Sequence, residues 1–208
     1  MTSISHVTLE TPDPSAAEEF YAAAFGLDGQ VRVRASDDAT AGFRGYTLSL
    51  VVAQPSTVDN LMASALEHGA TEVKPAEKSF WGYGGAVQAP DGAVWTIASS
   101  SKKDTAPPNR EIDDVVLLLG VDDVKASKQF YVGHGLTVAK SFGSKYVEFE
   151  SPASHIKLAL YGRRALAKDA DVSADGTGSH RLTIGSDVGS FTDPDGFEWE
   201  AAGTPDRP

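Results

Sequence analysis

Polar and apolar residues alternate at the start of the chain. His6, Thr8 and Glu10 fall on one face of a predicted strand, and Val7 and Leu9 fall on the other. Asp13-Pro14 then supplies a helix N-cap and a first-turn proline, and Ala16, Ala17, Phe20, Tyr21 and Ala24 recur at helical spacing until Gly26. A short alternating run covers 31–34, residues 36–42 read as a loop of turn formers, and 46–52 is a more apolar strand. Thr57 caps a second predicted helix with Val58, Leu61, Met62 and Ala65 on one face and His68-Gly69 at its end. Phe80, Trp81 and Tyr83, interleaved with glycines, lead into a strand at 86–88 and a closing strand that ends at Ala98.

Residues 99–110, rich in Ser, Lys and Pro, have linker composition. Beyond them the pattern begins again. A strand at 114–119 is apolar on both faces, Asp122 or Asp123 caps a helix containing Val124, Phe130 and Tyr131, and strand-like runs follow at 136–139, 145–150 and 156–161. Residues 164–170 suggest a short helical turn, and 179–184 a further strand. The second half has no counterpart of the helix at 57–68.

The repetition is most explicit at two turns. Pro90-Asp91-Gly92 precedes Trp95 as Pro194-Asp195-Gly196 precedes Trp199; proline fixes φ, aspartate caps the backbone and glycine accepts positive φ. The copies differ at one position, where Glu200 matches Thr96. Placing Phe20-Tyr21 over Phe130-Tyr131 sets Val7 over Leu117 and His6 over Val116, and Tyr46-Thr47-Leu48-Ser49 is aligned with His180-Arg181-Leu182-Thr183.

The chain has 208 residues, 41% of them hydrophobic, with 20 Gly and 11 Pro, which suits two turn-rich globular units. Acidic residues outnumber basic ones 29 to 18, for a net charge of −11, and no basic face runs along a helix, so nucleic acid is not an expected partner. The absence of cysteine excludes disulfides and thiolate chemistry. No run approaches the ~20 apolar residues of a membrane span and no signal-like core follows Met1, so membrane association is not expected and a cytoplasmic location is.

The Phe-Tyr helix ending in Gly-Leu and the closing Asp-Pro-Asp-Gly-x-x-Trp-Glu, each with its copy in the other half, resemble the glyoxalase, bleomycin-resistance and extradiol-dioxygenase superfamily. The resemblance implies an α+β fold of tandem βαβββ-type modules. These would form two related domains, 1–100 and 111–203, with curved mixed sheets, a linker at 101–110 and a tail at 204–208. It also implies a small-molecule ligand or substrate held in a cup and leaves room for a homodimer. By this resemblance His6, His180 and Glu200 match metal ligands, with Glu200 also the catalytic carboxylate, and one divalent Fe, Mn, Zn or Ni ion would polarise vicinal oxygens in a lyase, isomerase or dioxygenase reaction. Metal-free members that sequester drugs such as bleomycin imply the alternative, with no cofactor.

His6 and Glu200 lie at opposite ends of the chain, so a shared site requires the first and last modules to close one cup. His180 shares strand parity with Leu182 and Ile184, which leaves Arg181 rather than His180 pointing where Thr47 does. The complementary cup, with Val116, Thr47 and Thr96, offers no ligand set. Phe80, Trp81 and Tyr83 are expected to wall a pocket for an aromatic or planar ligand. Glu148 and Glu150 share a strand face and are secondary acid/base candidates, while His68, His134 and His155 are expected at helix ends or in a loop.

Overall fold

The computed structural model describes residues 4–27, 29–151, 154 and 156–202. Strand β1 (Ile4–Thr11) leads into helix α1 (Pro14–Phe25), whose N-cap Asp13 accepts from Ala16 N and whose C-cap Gly26 is left-handed at φ 66°. Strands β2 (Val31–Ala35) and β3 (Thr40–Gly42) follow. The next unit comprises β4 (Tyr46–Val51), α2 (Pro55–Glu67), β5 (Thr71–Lys78), β6 (Tyr83–Gln88) and β7 (Val94–Ser99). The second half opens with β8 (Asp114–Val121), α3 (Val124–Gly133), β9 (Val138–Ser141), β10 (Tyr146–Phe149) and β11 (Ile156–Gly162). It ends with α4 (Arg163–Asp169), β12 (Gly176–Gly178), β13 (Leu182–Ser186), β14 (Phe191–Thr192) and β15 (Glu198–Ala201). Among the described residues no helix lies between β13 and β14, and none is long and apolar enough to cross a membrane.

Among the described residues thirteen strands form one mixed sheet along the path β14-β15-β13-β1-β11-β8-β4-β7-β6-β5, with β2 on β1 and with β10 carrying β9 on β11. In four places a module's first strand runs parallel to a later strand of the same module: β1 with β2, β4 with β7, β8 with β11 and β13 with β15. Antiparallel seams then join modules that are not neighbours in the order expected from two self-contained halves. The first module meets the last through Thr8↔Thr183, and the second meets the third through Leu118↔Thr47. Two cups result: an outer one from the ends of the chain and an inner one from its middle.

Side chains on the other side of these strands form the core, with Val7, Leu9, Leu48, Leu117 and Ile184 fully or nearly fully buried. The repeated tryptophans anchor the helices. Tyr21 and Phe25 of α1 pack on Trp95, and Tyr131 of α3 packs on Trp199. Tyr21 donates to Asp91 at 2.7 Å, and Tyr131 donates to Asp193. The two locks are not superposable, because Asp91 matches Asp195 when the tryptophans are aligned. Asp195 instead accepts from Asp122 N at 2.8 Å and Ser127 Oγ at 2.7 Å.

The strand registers correct the internal alignment by two residues. Leu48 pairs with Trp95 as Ile184 pairs with Trp199, so Thr47 corresponds to Thr183 and Ser49 to Gly185. The cause is Arg181, whose φ of 51° ends the extended run and delays β13 to Leu182 instead of 179. Two other elements escaped the pattern. Strand β5 lies at the sheet edge, contains Pro75 and shows register shifts between Glu72 and Lys74 and again, across that proline, between Lys74 and Glu77. Strands β3 and β12 form a two-stranded ribbon where a loop was expected, with Gly178 at φ 87° packed so tightly that a Cβ would strike the Ala39 carbonyl. The segment expected to be a linker is pinned to α2: the Gln54 amide bonds Thr105, Ala106 and Pro107, and Thr57 donates to Asn109.

Candidate functional site: the polar cup

The face of β1 that carries His6, Thr8 and Glu10 forms the floor of the outer cup. Parallel β2 sets Arg32 beside Thr8 and Arg34 beside Glu10, while β13 and β15 bring Thr183, Gly185 and Glu200 to the same side. Of these positions Glu10, Arg34, Thr183 and Glu200 border a cavity of about 720 Å³, which His180 and Trp199 also line.

Arg34 is the hub of this floor. Its Nη2 donates to Glu10 Oε1 at 2.6 Å and to Thr183 Oγ1 at 2.7 Å, and its Nη1 donates to Glu200 Oε2 at 3.3 Å. Thr183 in turn donates to Glu10 Oε1 at 3.0 Å. One guanidinium thus joins two carboxylates and a hydroxyl, and the carboxylates hold the Arg34 charge above its ordinary pKa, Glu10 most of all.

His6 is buried at the edge of this network. Ser5 Oγ donates to the Gly185 carbonyl at 3.1 Å, so it can only accept from His6 Nδ1 at 2.8 Å. That bond selects the Nδ1–H tautomer and leaves Nε2 as an acceptor for Arg32 Nη1 at 3.4 Å. Burial, reinforced by the Arg32 charge, lowers the His6 pKa below 6.5 against the opposing pull of Glu200, so the ring is neutral at neutral pH. Glu200 Oε1 lies 3.4 Å from Nε2 and becomes its hydrogen-bond acceptor on protonation.

His6 and Glu200 therefore meet across the seam between the first and last modules. His180 lines the same cavity, but its ring is held elsewhere. Nδ1 contacts the Arg44 carbonyl at 2.5 Å, Nε2 contacts the Asp195 carbonyl at 3.1 Å, and the ring stacks on Phe197 at 4.0 Å. With Arg181 in the left-handed region, strand parity does not govern where His180 points.

These residues do not fit a divalent ion. Glu10 and Glu200 are both paired to Arg34, Arg32 faces His6 Nε2, and both ring nitrogens of His180 are engaged by backbone. Among the described residues no group of three or more His, Asp or Glu side chains is arranged to hold a metal. The arginines are what the sequence reading missed. Their signal was there, since Arg32 and Arg34 alternate with Val31 and Val33 and so share one face of a strand.

Of the expected aromatic wall, Trp81 and Tyr83 border a different cavity, in the inner cup, and Phe80 lies outside that lining, exposed and edge-on to Trp81 at 4.9 Å. Glu148 is tied to Tyr146 at 3.0 Å and Lys140 at 3.8 Å. His68 and His134 bond the carbonyls of Ser64 and Phe130 near the ends of their helices, and His155 lies outside the described residues.

No family model matches the chain, and no curated protein matches it. Solved structures do. Glyoxalase I from Zea mays superposes over 96% of this chain and 91% of its own with a TM-score of 0.63 at 16% identity. A candidate dioxygenase from Bacillus subtilis subsp. subtilis str. 168 superposes over 93% of this chain and 71% of its own with a TM-score of 0.54 at 14% identity. At such identities the likeness is one of fold: this chain shares the fold of glyoxalase I and of that candidate dioxygenase.

Proposed function

We propose that the protein binds a small organic cation in the polar cup, without a divalent metal. The observation that carries this reading is the Arg34 guanidinium joining Glu10 and Glu200, where it supplies the positive charge that a metal would otherwise provide. Even with Arg34 counted, the cavity lining carries Glu10, Asp38, Glu198 and Glu200 against one arginine, which favours a cationic guest. Binding and sequestration, rather than lyase or dioxygenase chemistry, is the function such a floor supports.

The test uses protein prepared without a His tag. After incubation with Fe, Mn, Ni and Zn salts, the wild type is expected to retain well under one equivalent of metal. Arg34→Met, which frees both carboxylates beside His6, is expected to bind at least roughly tenfold more tightly than wild type. Calorimetry with metal-free bleomycin should show binding weakened by Glu10→Gln and by Glu200→Gln. One tight metal equivalent in the wild type, lost in His6→Ala and in Glu200→Ala, overturns the proposal.

A further inference from the structure

The inner cup repeats the frame of the polar cup with its charges removed. Thr47 stands opposite Leu118 as Thr183 stands opposite Thr8, and His6, Glu10 and Glu200 of the outer cup each have a neutral counterpart. Glu200 becomes Thr96, His6 becomes Val116 and Glu10 becomes Gly120. At Gly120 a Cβ would press on the Gly45 carbonyl and on Arg163 and Leu166 of α4, so that helix fills the space a side chain would need.

A cavity of about 450 Å³ remains above this floor. Thr47, Ser49 and Thr96 line it with Leu118, Leu166 and Tyr161, and charged lining residues come only from edge strand β5 and the end of α4. The Thr47 hydroxyl is buried and has no hydrogen-bond partner among the described residues, whereas its counterpart Thr183 is bonded to both Arg34 and Glu10. A buried hydroxyl without a partner is costly, and a ligand donor or acceptor would satisfy it. At the rim, Trp81 is 83% exposed on a hairpin whose glycines are fixed by close packing, since a Cβ at Gly84 or Gly85 would collide with the Ile97 or Lys74 carbonyl. That leaves a flat indole at the rim of the cavity, edge-on to Phe80, which lies outside the lining.

We propose that the inner cup is a second binding site, for an uncharged planar aromatic molecule bearing a hydroxyl or amide, with Thr47, Ser49 and Thr96 receiving the polar group and Trp81 covering the ring. It is independent of the polar cup and of any reading of it. The probe is 2-naphthol, neutral at pH 7, with 2-naphthoate as its charged control. Binding is read by calorimetry and by the Trp81 indole N–H resonance, assigned through its loss in Trp81→Phe.

The expected result is saturable 2-naphthol binding that shifts the Trp81 resonance, weakened about tenfold by Thr47→Val or by Thr96→Val and abolished by Leu118→Trp, which fills the cavity. Arg34→Met should leave it unchanged. Two valine variants guard against misfolding of either one. No saturable binding below about 1 mM, binding indifferent to both valine variants and to Leu118→Trp, or equal affinity for 2-naphthoate would each overturn the proposal.

Discussion

His6 lies directly opposite Gly185 across the seam of β1 and β13, and its imidazole occupies the space that a side chain at 185 would need. The inner cup reverses the arrangement, with Ser49 opposite Val116. Gly185→Ala is therefore expected to destabilise the fold by roughly 1–3 kcal/mol through overpacking. Combining it with His6→Ala should recover most of that loss. Urea denaturation of the two single variants and the double variant measures the coupling, expected to exceed about 0.5 kcal/mol.

Acidification should weaken the protein through His6. Its pKa in the folded state lies below the ordinary 6.5, so the unfolded chain binds the proton more readily and the folded state loses stability as pH falls through 6.5 toward the lowered value. In His6→Gln this contribution is absent. Melting temperatures compared between pH 5 and 7.5 should converge for the two proteins at the acid end relative to their difference at neutral pH; parallel curves would contradict the assignment.

Both tyrosine locks are buried, and burial together with the neighbouring aspartate raises the pKa of Tyr21 and of Tyr131. Tyr131→Phe removes a donor from Asp193, whose carboxyl is itself raised by burial, and Tyr21→Phe removes one from Asp91. Each change is expected to cost about 1–3 kcal/mol, with the larger loss at Tyr131 because its partner is the more buried carboxylate. Thermal unfolding followed by circular dichroism gives the comparison.

The His180 ring lies between the Arg44 and Asp195 carbonyls, donating to one of them in either neutral tautomer, and stacks on buried Phe197. Its replacement by alanine should lower the melting temperature by several degrees, on the order of 1–2 kcal/mol. Calorimetric enthalpy and affinity for a cationic ligand in the polar cup should change far less than in Glu200→Gln, which separates a bracing role from a binding one.

The floor of the polar cup was legible wherever a strand kept its period. His6, Thr8 and Glu10 alternate without interruption, and their shared face is the one that lines the cup. The pairing of the ends was posed by the distance between His6 and Glu200 but could not be resolved, because hydrogen bonding between strands leaves no local mark on either one. Two residues explain most of the remaining errors. Arg181 enters the left-handed region, which a non-glycine residue seldom does, and so shifts the apparent register by two; Pro75 conceals an edge strand. The Arg34 hub was hidden for another reason: the Glu10↔Arg34 register is set by the crossover through α1, not by the sequence of either strand.

The interleaving of modules gives the two cups unequal closure costs. The inner seam joins β4 to β8 within the middle of the chain, while the outer seam joins β1 to β13, so the second closes a much longer loop at greater entropic cost. On that ground the polar cup is expected to form later and to open first when the ends fray. A protein captured part-way through folding would already present the neutral cavity and still lack the charged one.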